Sequence, residues 1–134
     1  MHFFTYPFVL TLTLPAVIPV SALGAGEKSW HCRNTNFEIS CDDGKCENSG
    51  THTPMDIHVS TQDISWCAYS GCWTGPPGST VTSGRFVSFF GPDLQSNGDV
   101  ENSVDVAIVI DTNTGAASIM AADYFATPAT CKLE

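Results

Sequence analysis

Positive charge is what this sequence has least of: five Lys and Arg stand against 14 Asp and Glu, and neither sign occurs before Glu27. The formal charge of −9 therefore belongs to the chain from Glu27 onward. A surface this acidic repels phosphate backbones and anionic headgroups, which excludes nucleic acid and membrane surfaces as partners. Basic proteins, cationic peptides and metal ions remain compatible with it, and so does acidity that serves solubility alone. Other absences narrow the chemistry. No serine sits in a G-x-S-x-G elbow, so Ser70 carries no nucleophile signature. No cysteine pair has the C-x-x-C spacing of zinc knuckles or thioredoxin-like sites. His31, His52 and His58 show no recognised zinc spacing, and no cofactor is implied. No stretch of ten residues carries a 3.6-residue apolar stripe, and there is no linker, repeat or low-complexity tract.

Residues 3–23, FFTYPFVLTLTLPAVIPVSAL, are uncharged and mostly apolar. Pro15 and Pro19 argue against a permanent membrane helix, since each removes a helix hydrogen bond. Val20-Ser21-Ala22 supplies the small residues that signal peptidase reads, so residues 1–22 are expected to be a signal peptide. Cleavage after Ala25 is the second choice. Retention as an anchor is the third, because the segment before the apolar run offers only His2 in place of Lys or Arg. The expected mature domain is 23–134, without a stable membrane anchor, periplasmic or secreted.

All six cysteines fall in that domain, and an even count behind a signal peptide reads as a disulfide framework. Cys41-Asp-Asp-Gly-Lys-Cys46 places two cysteines astride a four-residue connection with a hairpin-turn signal. Cys67-Ala-Tyr-Ser-Gly-Cys72 repeats the spacing. Facing residues at a hairpin mouth reach disulfide separation, so the spacing predicts Cys41–Cys46 and Cys67–Cys72. Cys32 is left to pair with Cys131.

Turn signals recur throughout, from Asp43-Gly44 through Gly75-Pro-Pro-Gly78 and Asn97-Gly98 to Asn113-Thr-Gly115. Between them apolar residues alternate, as in Met55, Ile57, Val59 and again in Ile64, Trp66, Ala68. Val104–Ile110 is apolar on both faces beyond Asp105 and is expected to be the most buried strand. Ala116–Ala122 has helical propensity, yet follows a turn directly after a strand and is read as the return arm of a hairpin. Gly91–Ser103 is expected to be the longest irregular stretch. The predicted fold is all-β: one small antiparallel meander, barrel or sandwich, with three disulfides.

Three groups of residues have chemical potential. The stapled hairpin around Cys67 and Cys72 carries Trp66, Tyr69, Ser70 and Trp73, rigid side chains suited to a binding loop or, equally, to filling a core. Asp56 and His58 lie two apart on one strand face, where a carboxylate orienting an imidazole supports general-base chemistry; Ser60 or Ser70 would have to supply the nucleophile. Asp93, Asn97, Asp99 and Glu101 partly follow a calcium loop, with Gln95 and Val104 departing from it and strands rather than helices around it.

Two resemblances bear on these residues. Cys67-Ala-Tyr-Ser-Gly-Cys72-Trp73, preceded by Thr53-Pro54-Met55 and followed by Val106-Ala107-Ile108-Val109, resembles small uncharacterised secreted or periplasmic proteobacterial proteins over roughly residues 30–131. That group implies no activity. More distantly, Cys41-Asp-Asp-Gly44 and Ser70-Gly71 before Trp73 are similar to elements of the periplasmic inhibitors of c-type lysozyme, small disulfide-bonded antiparallel β-barrels. Those inhibitors carry a Lys-Gly where this chain has Thr74-Gly75, so their basic inhibitory residue is missing. The expected function is a non-enzymatic extracytoplasmic binding protein, with a basic protein such as lysozyme as partner. The alternatives are a hydrolase-type enzyme using Asp56 and His58, or a structural envelope component.

Overall fold

In the computed structural model residues 27–34, 36–68, 71–98 and 102–134 are described, and every regular element among them is a strand. The expected signal segment lies outside them. The strands are β1 (Trp30–Arg33), β2 (Ile39–Asp42), β3 (Lys45–Asn48), β4 (Met55–Val59), β5 (Ile64–Ala68), β6 (Gly71–Gly75), β7 (Ser79–Ser83), β8 (Phe86–Ser96), β9 (Ser103–Asp111), β10 (Ala116–Ala121) and β11 (Phe125–Leu133). Their sheet order is β1-β4-β5-β6-β8-β9-β10-β11-β2-β3, with β7 on β8, and β1 also pairs with β11. That last pairing closes eight strands into an antiparallel barrel, which decides between barrel and sandwich. The β2–β3 hairpin stands outside the closed ring, joined to β11 by only two residue pairs, Phe125 with Ser40 and Ala126 with Ile39.

Period-two alternation does the folding work. In β4 Met55, Ile57 and Val59 point inward while Asp56 and His58 point out, and β5 follows the same rule with Ile64, Trp66 and Ala68 inside. Phe89, Leu94, Ile57, Ile64, Ile108, Ile110 and Ile119 are among the side chains fully sealed in the interior. The barrel is therefore filled by its own side chains, as eight-stranded barrels of this bore often are. Trp66 stacks on Trp73 at 4.6 Å between ring centroids and tilts against Phe125 at 5.5 Å.

All three disulfides have the expected partners, and each joins residues directly opposed in a strand pair: Cys32 with Cys131, Cys41 with Cys46, Cys67 with Cys72. Opposed antiparallel residues have their Cβ atoms close enough to be bridged without moving the backbone.

Two expectations need revision. β9 is not buried on both faces: Val104, Val106, Ile108 and Ile110 face the core, but Val109 and Ala107 face outward. A closed single-layer barrel covers one face of each strand, so apolarity on the other is surface. Gly91–Ser103 is not one irregular stretch, because β8 continues through it to Ser96 across a register shift between Gly91 and Leu94. Pro92 and Asp93 (φ 53°) occupy that bulge, where a missing N–H and a left-handed turn of the chain cost the ladder least. Ala116–Ala121 is the hairpin arm expected.

The β9–β10 turn is tied to the start of β8 by Arg85, whose guanidinium donates to the buried carboxylate of Asp111. Asn113 N–H donates to the other Asp111 oxygen at 3.0 Å. The Arg85 hydrogen bond, opposed by desolvation and helped by Asn113, holds the Asp111 carboxyl far below the usual carboxylate range. A depressed folded-state pKa stabilises above the unfolded value, about 3.9, and the stabilisation is lost as pH falls from there toward the folded value. Asp111→Asn is therefore expected to lower the melting temperature at neutral pH and to flatten its decline below about pH 4. Melting curves of both proteins across that range check it; parallel declines would remove Asp111 as a source of acid sensitivity.

Candidate functional site

The stapled aromatic hairpin divides between core and surface. Trp66 and Trp73 are directly opposed on β5 and β6, so both side chains turn to the same side. Trp66 is an interior residue at 3% exposure, and its buried indole Nε1 has no hydrogen-bond partner among the described residues. Trp73 is half-buried against the core and donates its Nε1 to Asn102 Oδ1 at 2.8 Å. Tyr69 and Ser70 lie outside the described residues. Of the proposed calcium ligands, Asp99 and Glu101 also lie outside them. Asp93 sits at the β8 bulge with its N–H on Asp105 Oδ1 at 2.7 Å, while Asn97 Oδ1 accepts from Cys72 N–H at 3.2 Å. The Ser60 hydroxyl accepts from Gln62 and Asp63 N–H groups at 3.0 and 3.1 Å, and so closes the β4–β5 turn.

Asp56 and His58 do share the outer face of β4, and the fold adds neighbours that sequence spacing concealed. Cys32 must face inward to meet Cys131, which turns His31 and Arg33 outward on β1. The β1–β4 register then sets His31 directly opposite His58, 27 positions away in sequence. Their rings stack at 4.3 Å with planes 6° apart. His31 Nε2 lies 2.5 Å from Asp56 Oδ1, and His58 Nε2 lies 3.9 Å from Asp56 Oδ2. Arg33 reaches the same carboxylate, with Nε 3.1 Å from Oδ1. The far nitrogen of His58, Nδ1, lies 3.6 Å from Glu134 Oε2. The hydrogen bond with His31 holds the Asp56 carboxyl below its usual range; partial desolvation opposes this, and Arg33 and the imidazoles add Coulombic support. Alternation in Trp30-His-Cys-Arg33 is the available signal for His31, but it becomes usable only once the Cys32 pairing fixes which face is inside.

The opposite wall presents a different surface. Pairing registers place Phe90 beside Ala107, Ala107 beside Met120, Met120 beside Ala126 and Ala126 beside Ile39. All five point outward, forming an apolar row across β8, β9, β10, β11 and β2. Phe90 is 42% and Met120 52% exposed, and Val81, Phe86 and Val109 are exposed beside them. An open groove of about 390 Å³ lies at the Phe90 end of the row, between Ser79, Pro92, Phe90, Ala107, Met120 and the acidic Asp105. The row's other end, Ile39, belongs to the β2–β3 hairpin, whose Asp42, Asp43 and Glu47 are exposed around one Lys45 and which the Cys41–Cys46 bridge holds. Contiguous exposed apolar area of this kind marks an interaction surface more often than chance. Among the described residues no helix is long and apolar enough to cross a membrane. Compared with known proteins, the chain matches no family model, no curated protein and no solved structure.

Proposed function

We propose that this chain is a non-enzymatic extracytoplasmic binding domain, periplasmic or secreted, that docks a basic protein against the apolar row and the acidic β2–β3 hairpin. The row from Phe90 to Ile39 carries the reading: it is contiguous and outward-facing, and it ends on a disulfide-stiffened hairpin that exposes Asp42, Asp43 and Glu47, with Asp42 and Glu47 on the face opposite Ile39. Apolar area supplies affinity, while the carboxylates steer a cationic partner and select against acidic ones. The filled barrel interior favours recognition on the outer wall over capture of a ligand inside. Distant similarity to inhibitors of c-type lysozyme makes a cationic lysozyme the first partner to test. With Thr74-Gly75 in place of Lys-Gly, inhibition here would have to come from the outer wall rather than from a basic loop residue.

The measurement is binding to immobilised c-type lysozyme across ionic strength, alongside lysis rates with excess protein. Wild type is expected to bind, to weaken with added salt and to slow lysis. Phe90→Thr combined with Met120→Thr keeps strand-compatible residues at exposed positions and is expected to lose tenfold or more in affinity with little change in melting temperature, on the basis that burying each side chain is worth roughly 1.5–3 kcal/mol. Unchanged lysis removes the inhibitor reading. Failure to bind lysozyme or any other member of a panel of cationic proteins overturns the basic-partner reading altogether.

A further inference from the structure

The β1–β4 face uses none of the docking surface, and its side chains have a chemistry of their own. We propose that His31, Asp56 and His58 form a binding site for a borderline divalent transition ion, zinc or copper(II). One ligand atom from each residue lies within 4.8 Å of the others, on three side chains held by two adjacent strands. Both Nε2 atoms address one carboxylate, His31 at Oδ1 and His58 at Oδ2. Two imidazoles and a carboxylate are the donor set of borderline ions; calcium and magnesium require oxygen ligands throughout.

Three further observations support a built arrangement over a chance meeting of polar side chains. First, the β1–β4 register and the neighbouring Cys32–Cys131 bridge fix the two histidine backbones opposite one another. Second, Glu134 faces His58 Nδ1 at 3.6 Å. At that separation the carboxylate stands behind the ring without a hydrogen bond, and a modest side-chain movement would bring it into the carboxylate–histidine–metal relation found around bound ions. Third, the two rings lie against each other at 4.3 Å with their Nε2 atoms on the Asp56 side. Both side chains are partly exposed, so each ring has room to rotate out of the stack and turn its lone pair toward a shared ion, at the 2.0–2.1 Å roughly expected for metal–nitrogen bonds. Three protein ligands leave a coordination position for water or for a donor from a bound partner.

Arg33 is the internal competitor. Its guanidinium lies 3.1 Å from Asp56 Oδ1, with Nε 3.5 Å from His31 Nε2, so it occupies the positive position that an ion would take. At 65% side-chain exposure it is free to swing into solvent. Lys132 is aligned with His31 from β11 and adds a second opposing charge, against which Asp56 and Glu134 supply two negative ones. Affinity is therefore set by a near-balance of local charge, and it is adjustable in either direction by single substitutions.

Untagged, disulfide-intact protein, stripped with chelator and dialysed, would be titrated calorimetrically with zinc, copper(II) and calcium salts. The expected result is one equivalent of zinc or copper(II) bound and no calcium, with nitrogen hyperfine structure from two imidazoles in the copper spectrum. His31→Ala and His58→Ala should each abolish the saturable phase. Glu134→Gln should weaken it, because it removes one of the two negative charges beside the histidines. Arg33→Gln should tighten it, a gain that a merely structural cluster has no reason to show. Melting temperatures without metal confirm that each variant is folded. The proposal is overturned if wild type shows no saturable zinc or copper phase, or if folded His31→Ala and His58→Ala bind as wild type does.

Discussion

Removing the Cys32–Cys131 bridge by double alanine substitution is expected to lower the unfolding free energy by about 4–5 kcal/mol. The two cysteines are 99 positions apart, and closing a loop of that size removes far more freedom from the unfolded chain than closing a short one. The corresponding loss for either short bridge, Cys41–Cys46 or Cys67–Cys72, is about 2 kcal/mol, because its cysteines are only five positions apart. Burial widens the gap: Cys32 and Cys131 are sealed in the interior, so alanine also leaves unfilled volume there. Small domains have only about 5–15 kcal/mol of stability in total, so the loss is a large fraction of it. Urea unfolding of the three double variants checks the ranking. Equal losses at all three bridges would mean that the unfolded chain is already compact around the clasp. The bridge also bears on function, since β1 has only four residues and carries both His31 and Arg33. A frayed β1 takes the proposed metal site with it, so the same variant is expected to lose metal binding.

Much of this architecture can be read in the chain, because alternation and turn chemistry are local. Met55-Asp-Ile-His-Val59 declares its inner and outer faces without help from any other segment, and so does Ile64-Ser-Trp-Cys-Ala68. Disulfide pairing is legible for the same reason in the two hairpins, and by elimination for the clasp. What escapes is information carried by closure. Val109 looks like a core residue until the barrel closes and leaves only one side of β9 covered. Gly91–Ser103 looks irregular because a bulge at Pro92 and Asp93 interrupts an alternation that resumes beyond it. The apolar row is invisible in sequence, since its five members come from five strands and meet only through register. His31 is hidden as a neighbour of His58 for that reason too. Local spacing finds metal and catalytic sets on one helix or one loop; a set assembled across strands requires the pairing first. Trp66 shows the converse limit, because an aromatic in a stapled hairpin reads equally as loop or core until its inward face is known.

Gly115→Ala is expected to cost at least about 3 kcal/mol, the sum of two penalties of the size usual for backbone strain and steric conflict. The first is conformational: Gly115 has φ +74°, a left-handed geometry that costs an L-residue roughly 1–2 kcal/mol. The second is contact. A Cβ at Gly115 would lie 2.3 Å from the Cys131 carbonyl oxygen, far inside any tolerated separation. That oxygen belongs to backbone and cannot rotate away. Cys131 is held at every point: its N–H donates to Gly115 C=O at 2.7 Å, its residue pairs with Cys32, and its sulfur is bridged there. Gly115 is equally fixed, donating its own N–H to Asp111 C=O at 2.8 Å. Gly44 and Gly84 provide the control, since both have positive φ and a Cβ added at either would meet no atom within 4 Å. Alanine at those two positions should cost only the conformational part, about 1–2 kcal/mol. If denaturant midpoints place Gly115→Ala beside Gly44→Ala and Gly84→Ala, the β9–β10 turn yields and Cys131 is not rigidly held. A clear excess instead shows that the contact between this turn and Cys131 of the clasp is rigid on both sides.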